Sequence, residues 1–375
     1  MKLPQELVDE IIGHLPTYYP QSLHSCSLVA KSWTHPSQKR LFENINIHPG
    51  NFRSWLDSIS PTNAVLLGHI RSLSYTTYTT HPDRTIEPAY SALRDYFPSF
   101  CQLRRLTLSF DCTPSHPQQI ESFSAFQHTL SDLSLSNRAV TTSTLVTLIN
   151  YFPNLACLYL RNLSYRREAE RTSSPPRSPF KKLYVTEWPV CSLDLLDELS
   201  KLGLHFDEVA ISQIAPTHTW PEFAKRVVDA FGAGAKRLRL HGSPQHVDHS
   251  LTLSHCRELR EFEIYAPRPN DTDLNLISSI TPTNIQKIIL THSTAFRFSA
   301  AHTYWTRFDD VLIQLINRSE YKLRLEVEFQ GVYDTRGEKS VLKMYLPRFH
   351  EKGRVTILST RNELIYCSDE ARGRR

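Results

Sequence analysis

From residue 70 onward the chain repeats one short pattern: apolar, two variable residues, apolar, one variable, apolar. It begins at Ile70 (IRSLSY), Leu103 (LRRLTL), Leu130 (LSDLSL), Leu155 (LACLYL), Phe180 (FKKLYV), Phe206 (FDEVAI), Ala235 (AKRLRL), Leu259 (LREFEI) and Ile285 (IQKIIL). Successive starts lie 24 to 33 residues apart, about 27 on average. The alternation inside each hexad predicts a short strand with one buried face. Between hexads, Pro88 to Phe97, Thr142 to Phe152, Ser192 to Leu202, Pro221 to Phe231 and Thr272 to Ile280 carry helical patterns, several opened by capping residues. Strand and helix in strict alternation imply parallel strands, and no single unit can cover its own apolar face, so the units must stack as a solenoid. After the repeats, Tyr304 to Asn317 predicts a long helix. The alternating runs Leu323 to Phe329 and Val355 to Ile357 predict strands of an irregular closing element or of a small hairpin domain.

The first 47 residues follow a different rule. Leu3, Leu7, Ile11 and Leu15 recur at helical spacing behind Pro4, which suits a first helical turn. A second helix carries Leu23, Cys26, Leu28 and Val29, and a third runs past Trp33 to Leu41 and Phe42, with Ile45 beyond. A unit of this size has too little core to stand comfortably alone, so its apolar stripe calls for a neighbour or a partner. The order Leu3-Pro4, Glu6-Leu7, Ile11-Ile12, Leu15-Pro16, Ser22-Leu23, Cys26-Ser27-Leu28-Val29, Lys31, Trp33 and Leu41-Phe42 resembles the F-box over about residues 3 to 47. It departs in the bulky Thr17-Tyr18-Tyr19-Pro20 link and in having Phe42 as the late aromatic. The resemblance implies docking onto the adaptor Skp1, and through it onto a cullin ubiquitin ligase, with Pro4, Leu7, Ile11, Leu23, Cys26, Val29 and Trp33 as the candidate interface. The same residues could instead build the module's own core.

The hexads with their period are similar to leucine-rich repeats, in a degenerate form without the regular asparagine. The expected organisation is a three-helix module over 1–47, a solenoid of about nine repeats over 48–300, a capping helix and strands over 301–362, and a basic, disordered tail over 363–375. The fold class is therefore α/β.

Composition narrows the function classes. The net charge of +5 over 375 residues is mild, so nucleic acid is a poor fit as partner. No apolar run reaches membrane-spanning length, and Met1-Lys2 leads straight into the first helix without a signal segment, which points to the cytoplasm or nucleus. Seven widely spaced cysteines, an odd number, read as reduced thiols. No phosphate-binding glycine loop, nucleophile elbow or zinc signature occurs, so the expectation is a non-catalytic protein without a cofactor. The potential ligands His241, His246, Asp248, His249, His255 and Cys256 are close in sequence, but 17 histidines make such grouping unsurprising, and no metal is expected.

The variable positions of the hexads should line the open face of the strands. There Tyr159, Arg161, Lys182 and Tyr184 join aromatic rings to cations, a composition typical of interfaces, and mark the candidate substrate patch. Arg237 and Arg239 are further candidates, although Glu261 and Glu263 on the next strand could simply neutralise them. Ser164 to Pro179 is polar, Pro-rich and basic, as a surface loop would be, and Ser174-Pro175 and Ser178-Pro179 are candidate phosphorylation sites. The functional expectation is a substrate-recognition subunit of a Skp1–cullin–F-box ligase. The alternatives are an interaction scaffold with the helices as a cap, and a ligand-binding or hydrolytic protein.

Overall fold

The structure, a computed structural model, describes residues 3–15, 20–48, 50–58, 64–76, 95–109, 121, 123–136, 139–165, 180–186, 193–212, 220–242, 251–265, 271–281, 284–293, 302–330, 343–352 and 354–360. The chain divides into two compact units, Met1–Leu204 and His205–Arg375. Both are α/β, with parallel strands in sequence order, as expected of a solenoid-like chain.

Unit one opens with helices α1 (Gln5–His14), α2 (Pro20–Val29) and α3 (Lys31–Phe42), followed by strand β1 (Asn44–Ile47) and the short helices α4 (Phe52–Ser58) and α5 (Ala64–Leu67). Strands β2 (Ser72–Thr76), β3 (Arg105–Ser109), β4 (Asp132–Ser136), β6 (Cys157–Arg161) and β8 (Lys182–Thr186) each extend the sheet by one parallel neighbour. A separate pair, β5 (Ala139–Val140) and β7 (Ser164–Tyr165), is also parallel. Helices α6 (Thr142–Tyr151) and α7 (Leu193–Lys201) fall where the periodicity places them. The described end of the expected Pro88 to Phe97 helix is a 3-10 turn, Phe97–Ser99; residues 88–94 lie outside the described residues.

In unit two, β9 (Glu208–Ser212), α8 (Trp220–Phe231), β10 (Arg237–His241), β11 (Glu261–Tyr265), α9 (Asp271–Ser278), β12 (Lys287–Ser293), α10 (His302–Arg318), β13 (Arg324–Gln330), α11 (Pro347–Lys352) and β14 (Arg354–Thr360) follow in order. Here the hairpin alternative is corrected. The two late strands end the sheet as further parallel neighbours, β13 pairing with β12 and β14 with β13, seven residues in register each time. Parallel pairing needs a crossover between strands, and α10 supplies the first.

The hexads specify this architecture in a direct way. Their first apolar residue ends a tight turn: the N–H of Ile70, Leu103, Leu130 and Leu155 each donates to a carbonyl three or four residues back. The next two apolar residues face the core, so Leu73, Leu106, Leu108, Leu133, Leu158, Leu160, Leu183 and Val185 are buried, while the variable residues between them stay half-buried. Each repeat is then locked to the previous one by a carbonyl just before the strand that accepts two consecutive N–H groups. Arg71 O takes Arg104 and Arg105, Arg104 O takes Ser131 and Asp132, and Ser131 O takes Ala156 and Cys157. Unit two repeats the device at Asp207, Lys236 and Arg260. Beneath the turns of unit one, Phe97, Phe100, Phe123, Phe126 and Phe152 form a continuous buried aromatic spine with neighbouring centroids 5.4–6.2 Å apart. Each such ring stabilises the stack by about 2 kcal/mol through burial alone.

Candidate functional site

The helical module builds its core from Val8 and Ile12 of α1 and Leu23 of α2, with Leu15, Cys26, Trp33 and Leu41 packed against them. Of the stripe that the spacing singles out, Leu7 and Ile11 lie about 100° round α1 from that core and stay 45 and 43% exposed, Leu3, just before the helix, is 51% exposed, and Leu15 packs against the core. At the end of α2, Leu28 and Val29 are 75 and 66% exposed. Pro4 is exposed and flanks α1 as its N-cap instead of opening its first turn. The expected interface therefore splits. Pro4, Leu7, Ile11 and Val29 face outward, Cys26 and Trp33 are half-buried against the core, and Leu23 is fully buried, so its place at the interface is corrected: its side chain supports α2 from within.

A proline explains how α1 is tied to α3. Pro36 sits inside α3 without an N–H, which leaves the carbonyl of Ser32 without its usual helical donor. Gln5 fills the vacancy, donating from Nε2 to Ser32 O at 3.1 Å. The start of α1, next to Leu3 and Leu7, is thereby tied to the start of α3, three residues after Val29. Thr34 adds a second tie by donating to Ser27 O at 2.9 Å.

The join to the strands is equally specific. Glu43 O accepts Arg71 N–H and Ser72 N–H, the same two-donor lock that joins the repeats, and the Glu43 carboxylate pairs with Arg40 and, at 3.1 Å, with Arg71. Strand β1 then runs in register with β2, from Asn44 opposite Ser72 to Ile47 opposite Tyr75.

On the half-exposed strand face of unit one, Tyr159 and Tyr184 are directly opposite each other and stack with centroids 4.5 Å apart and planes 5° from parallel. Arg161 and Lys182 occupy opposite ends of the same two strands, Lys182 opposite Cys157 and Arg161 opposite Thr186, so the two rings meet while the two cations lie apart on either side of them. Burial, then the neighbouring Cys157, Tyr184 and Asp132, push the Tyr159 hydroxyl far above the ordinary tyrosine range and keep it a donor. Burial and Asp132 also push the Cys157 thiol up to about 11, which makes it a poor nucleophile.

Unit two presents a different face. Arg237 lies 3.3 Å from Glu261 and 3.6 Å from Glu263, while Arg239 lies 3.0 Å from Glu208 and 3.3 Å from Glu263. His241 Nε2 hydrogen-bonds Glu263 Oε1 at 2.8 Å, and Lys287 meets Glu326 at 2.7 Å. Burial would raise the Glu263 pKa, but the His241 hydrogen bond and the charges of His241, Arg239 and Arg237 outweigh it and hold the carboxyl below its ordinary value. Arg237 and Arg239 are thus members of an ion-pair lattice, which sets them apart from the unit-one candidates.

In unit two, a cleft of about 320 Å³ is lined by Thr306, Asp309, Asp310, Met344, Tyr345, Pro347 and Arg348, and Arg348 pairs with both aspartates. Ser174, Ser178, His246, Asp248 and His249 lie outside the described residues. Among the described residues no group of three or more histidine, cysteine, aspartate or glutamate side chains converges on a metal-sized site, and no helix is long and apolar enough to cross a membrane. No known protein family matches the chain, and no curated protein matches it.

Proposed function

We propose that this chain is the substrate-recognition subunit of a Skp1–cullin–F-box type ubiquitin ligase, holding Skp1 with its N-terminal helices and a protein substrate with its strand face. The observation that carries the reading is the apolar surface at Leu3, Leu7, Ile11, Leu28 and Val29, left 43–75% exposed on a module whose own core is already filled. Leu7 and Ile11 succeed each other one turn apart with Leu3 just before them, and a run of neighbouring exposed apolar groups is a usual mark of a partner surface. The resemblance of residues 3–47 to the F-box names Skp1 as that partner, and the degenerate leucine-rich pattern suits the substrate side. Such a subunit performs no bond chemistry. It accelerates transfer by holding the substrate near the ubiquitin-carrying enzyme at high effective concentration.

A second reading has its own support. The lock at Glu43 and the β1–β2 pairing make the helices a cap on the first repeat, as a scaffold would need. Co-expression with Skp1 separates the two. The ligase reading expects co-elution with the wild-type chain and its loss in Ile11→Asp and in Val29→Asp. Both positions are exposed, so both variants keep their circular dichroism spectrum and melting temperature. Absence of a complex with folded wild-type protein would leave the scaffold.

A further inference from the structure

The helical module and the first repeat meet where basic side chains gather. On the module side, α3 carries His35, Lys39 and Arg40; on the repeat side, the segment between α5 and β2 carries His69 and Arg71. The carboxylate at this junction is Glu43, and Arg40 and Arg71 both already pair with it. His35 is exposed and His69 half-buried, and their rings meet edge to face with centroids 5.5 Å apart and planes 73° from parallel. One ring therefore belongs to each side of the junction. Helix α5, which packs on α3, and the 3-10 turn Phe97–Ser99, which packs on α5, add no charged residue.

Two observations favour an uncharged His69 in this contact. Its Nε2 is buried and has no hydrogen-bond partner among the described residues, so an imidazolium there would hold an N–H donor without an acceptor. Burial, then the nearby His35, Lys39 and Arg71, also hold its pKa below the ordinary 6.5. Proton uptake would set a positive ring on the repeat side against His35 and Lys39 on the module side, and the two rings are closer than the screening length of about 8 Å at physiological salt. Arg71, two residues after His69, gives its N–H to Glu43 O and its guanidinium to the Glu43 carboxylate, so a displacement of His69 acts directly on the Glu43 lock.

We propose that the His35–His69 contact is an acid-sensitive latch, which holds the helical module against the first repeat near neutral pH and releases it as the rings take up protons. Because the folded pKa of His69 lies below 6.5, the contribution of the neutral ring is full above 6.5 and is lost as the pH falls through that value toward the lower, folded one. The carboxyl of Glu263, held below 4.5, stays charged through this window. The latch acts in the same way whether the helices bind Skp1 or only cap the repeats, so it goes beyond the ligase reading.

Hydrogen exchange of the full chain, followed by mass spectrometry, reads the latch at Arg71 and Ser72, whose amides donate to Glu43 O. Rates are compared at about pH 7.5 and about pH 5.5, either side of the ordinary histidine range, after correction for intrinsic exchange. Wild type should lose protection severalfold at these two amides on acidification. Ala156 and Cys157, which donate to Ser131 O in the equivalent lock where Asn154 stands in the place of His69, should keep theirs. His69→Gln, which retains a neutral polar side chain, should abolish the pH dependence at Arg71 and Ser72. His35→Glu, at an exposed position, should reverse it, because a carboxylate facing His69 favours the charged ring. Full protection of wild type at the lower pH, an equal loss in His69→Gln, or a loss in His35→Glu as large as in wild type would each overturn the proposal. Circular dichroism at both pH values shows that the variants are folded; should His69→Gln open the junction even at the higher pH, His35→Glu decides alone.

Discussion

At the scale of single residues, two glycines and one glutamate set clear expectations. A Cβ on Gly232 would meet the Val228 carbonyl oxygen at 2.5 Å and Cys256 Sγ at 2.8 Å, so the close approach of α8 to the next turn requires a residue without a side chain. Gly232→Ala should cost about 1–3 kcal/mol in a denaturant titration. Gly13 lies in α1 with nothing within 4 Å of such a Cβ, and Gly13→Ala should instead stabilise by about 0.5–1 kcal/mol. Glu263 is the hub of the unit-two lattice. Its folded pKa lies below the ordinary value of 4.5, so its contribution is full above that value and is lost as the pH falls through the lower, folded one. Glu263→Gln should cost about 2 kcal/mol near neutrality, with the difference from wild type shrinking as the pH falls below 4.5 and through the lower, folded pKa. A deficit that stays constant on acidification would show that the charge of Glu263 is not what the lattice uses.

At the scale of elements, the hexads were highly legible. From Ile70 to Ile285, every predicted strand is a strand, because each hexad confines its alternation to a few residues between a turn and a helix. The helical module was less so. Leu7 with Ile11 and Val8 with Ile12 form two adjacent apolar stripes on α1, and periodicity alone does not choose which one turns inward; contact with Leu23 and Trp33 decides for Val8 and Ile12. Leu23 was misplaced for the same reason. Strand β1 went unread because its Asn-Ile-Asn-Ile run is only four residues long and follows a helix directly. Its role yields an experiment. Deleting residues 1–47 removes the first partner of β2, whereas deleting 1–42 keeps β1 and the Glu43 lock. The longer deletion should aggregate more strongly, by light scattering, because it strips β2 of both its strand partner and the Glu43 lock and leaves a longer edge unpaired.

At the scale of the whole chain, the repeats extend further than composition suggests. The later strands Arg324–Gln330 and Arg354–Thr360 lack the hexad, having longer alternating runs, and that difference hid their kinship with β2 to β12. Their parallel pairing predicts that truncation after Arg318 destabilises all of unit two, since it leaves the seven-residue edge of β12 without its partner. Loss of the cooperative melt of an isolated fragment spanning residues 205–318, against retention in 205–375, would be the signature. The candidate patch of unit one was readable in its residue types, and Tyr159 and Tyr184 fall at matching positions of successive hexads; what could not be read was the near-parallel stacking of their rings, which side-chain rotamers decide. Charge neutralisation at Arg237 and Arg239 was legible as an alternative because the acids recur at matching positions of the next hexad.

The carbonyl of Glu43 has a mechanical consequence. A flexible tether between the helical module and the first repeat would let a partner held by α1 sample many orientations, and its encounters with anything held on the strand face would be governed by chain statistics. Here α3 passes into β1 with no intervening linker, and Glu43 fastens the junction by two backbone bonds and two ion pairs. Helices and strands of unit one thus behave as a lever with its angle already set: loosening Glu43 would change direction and reach without altering a single residue at either candidate surface.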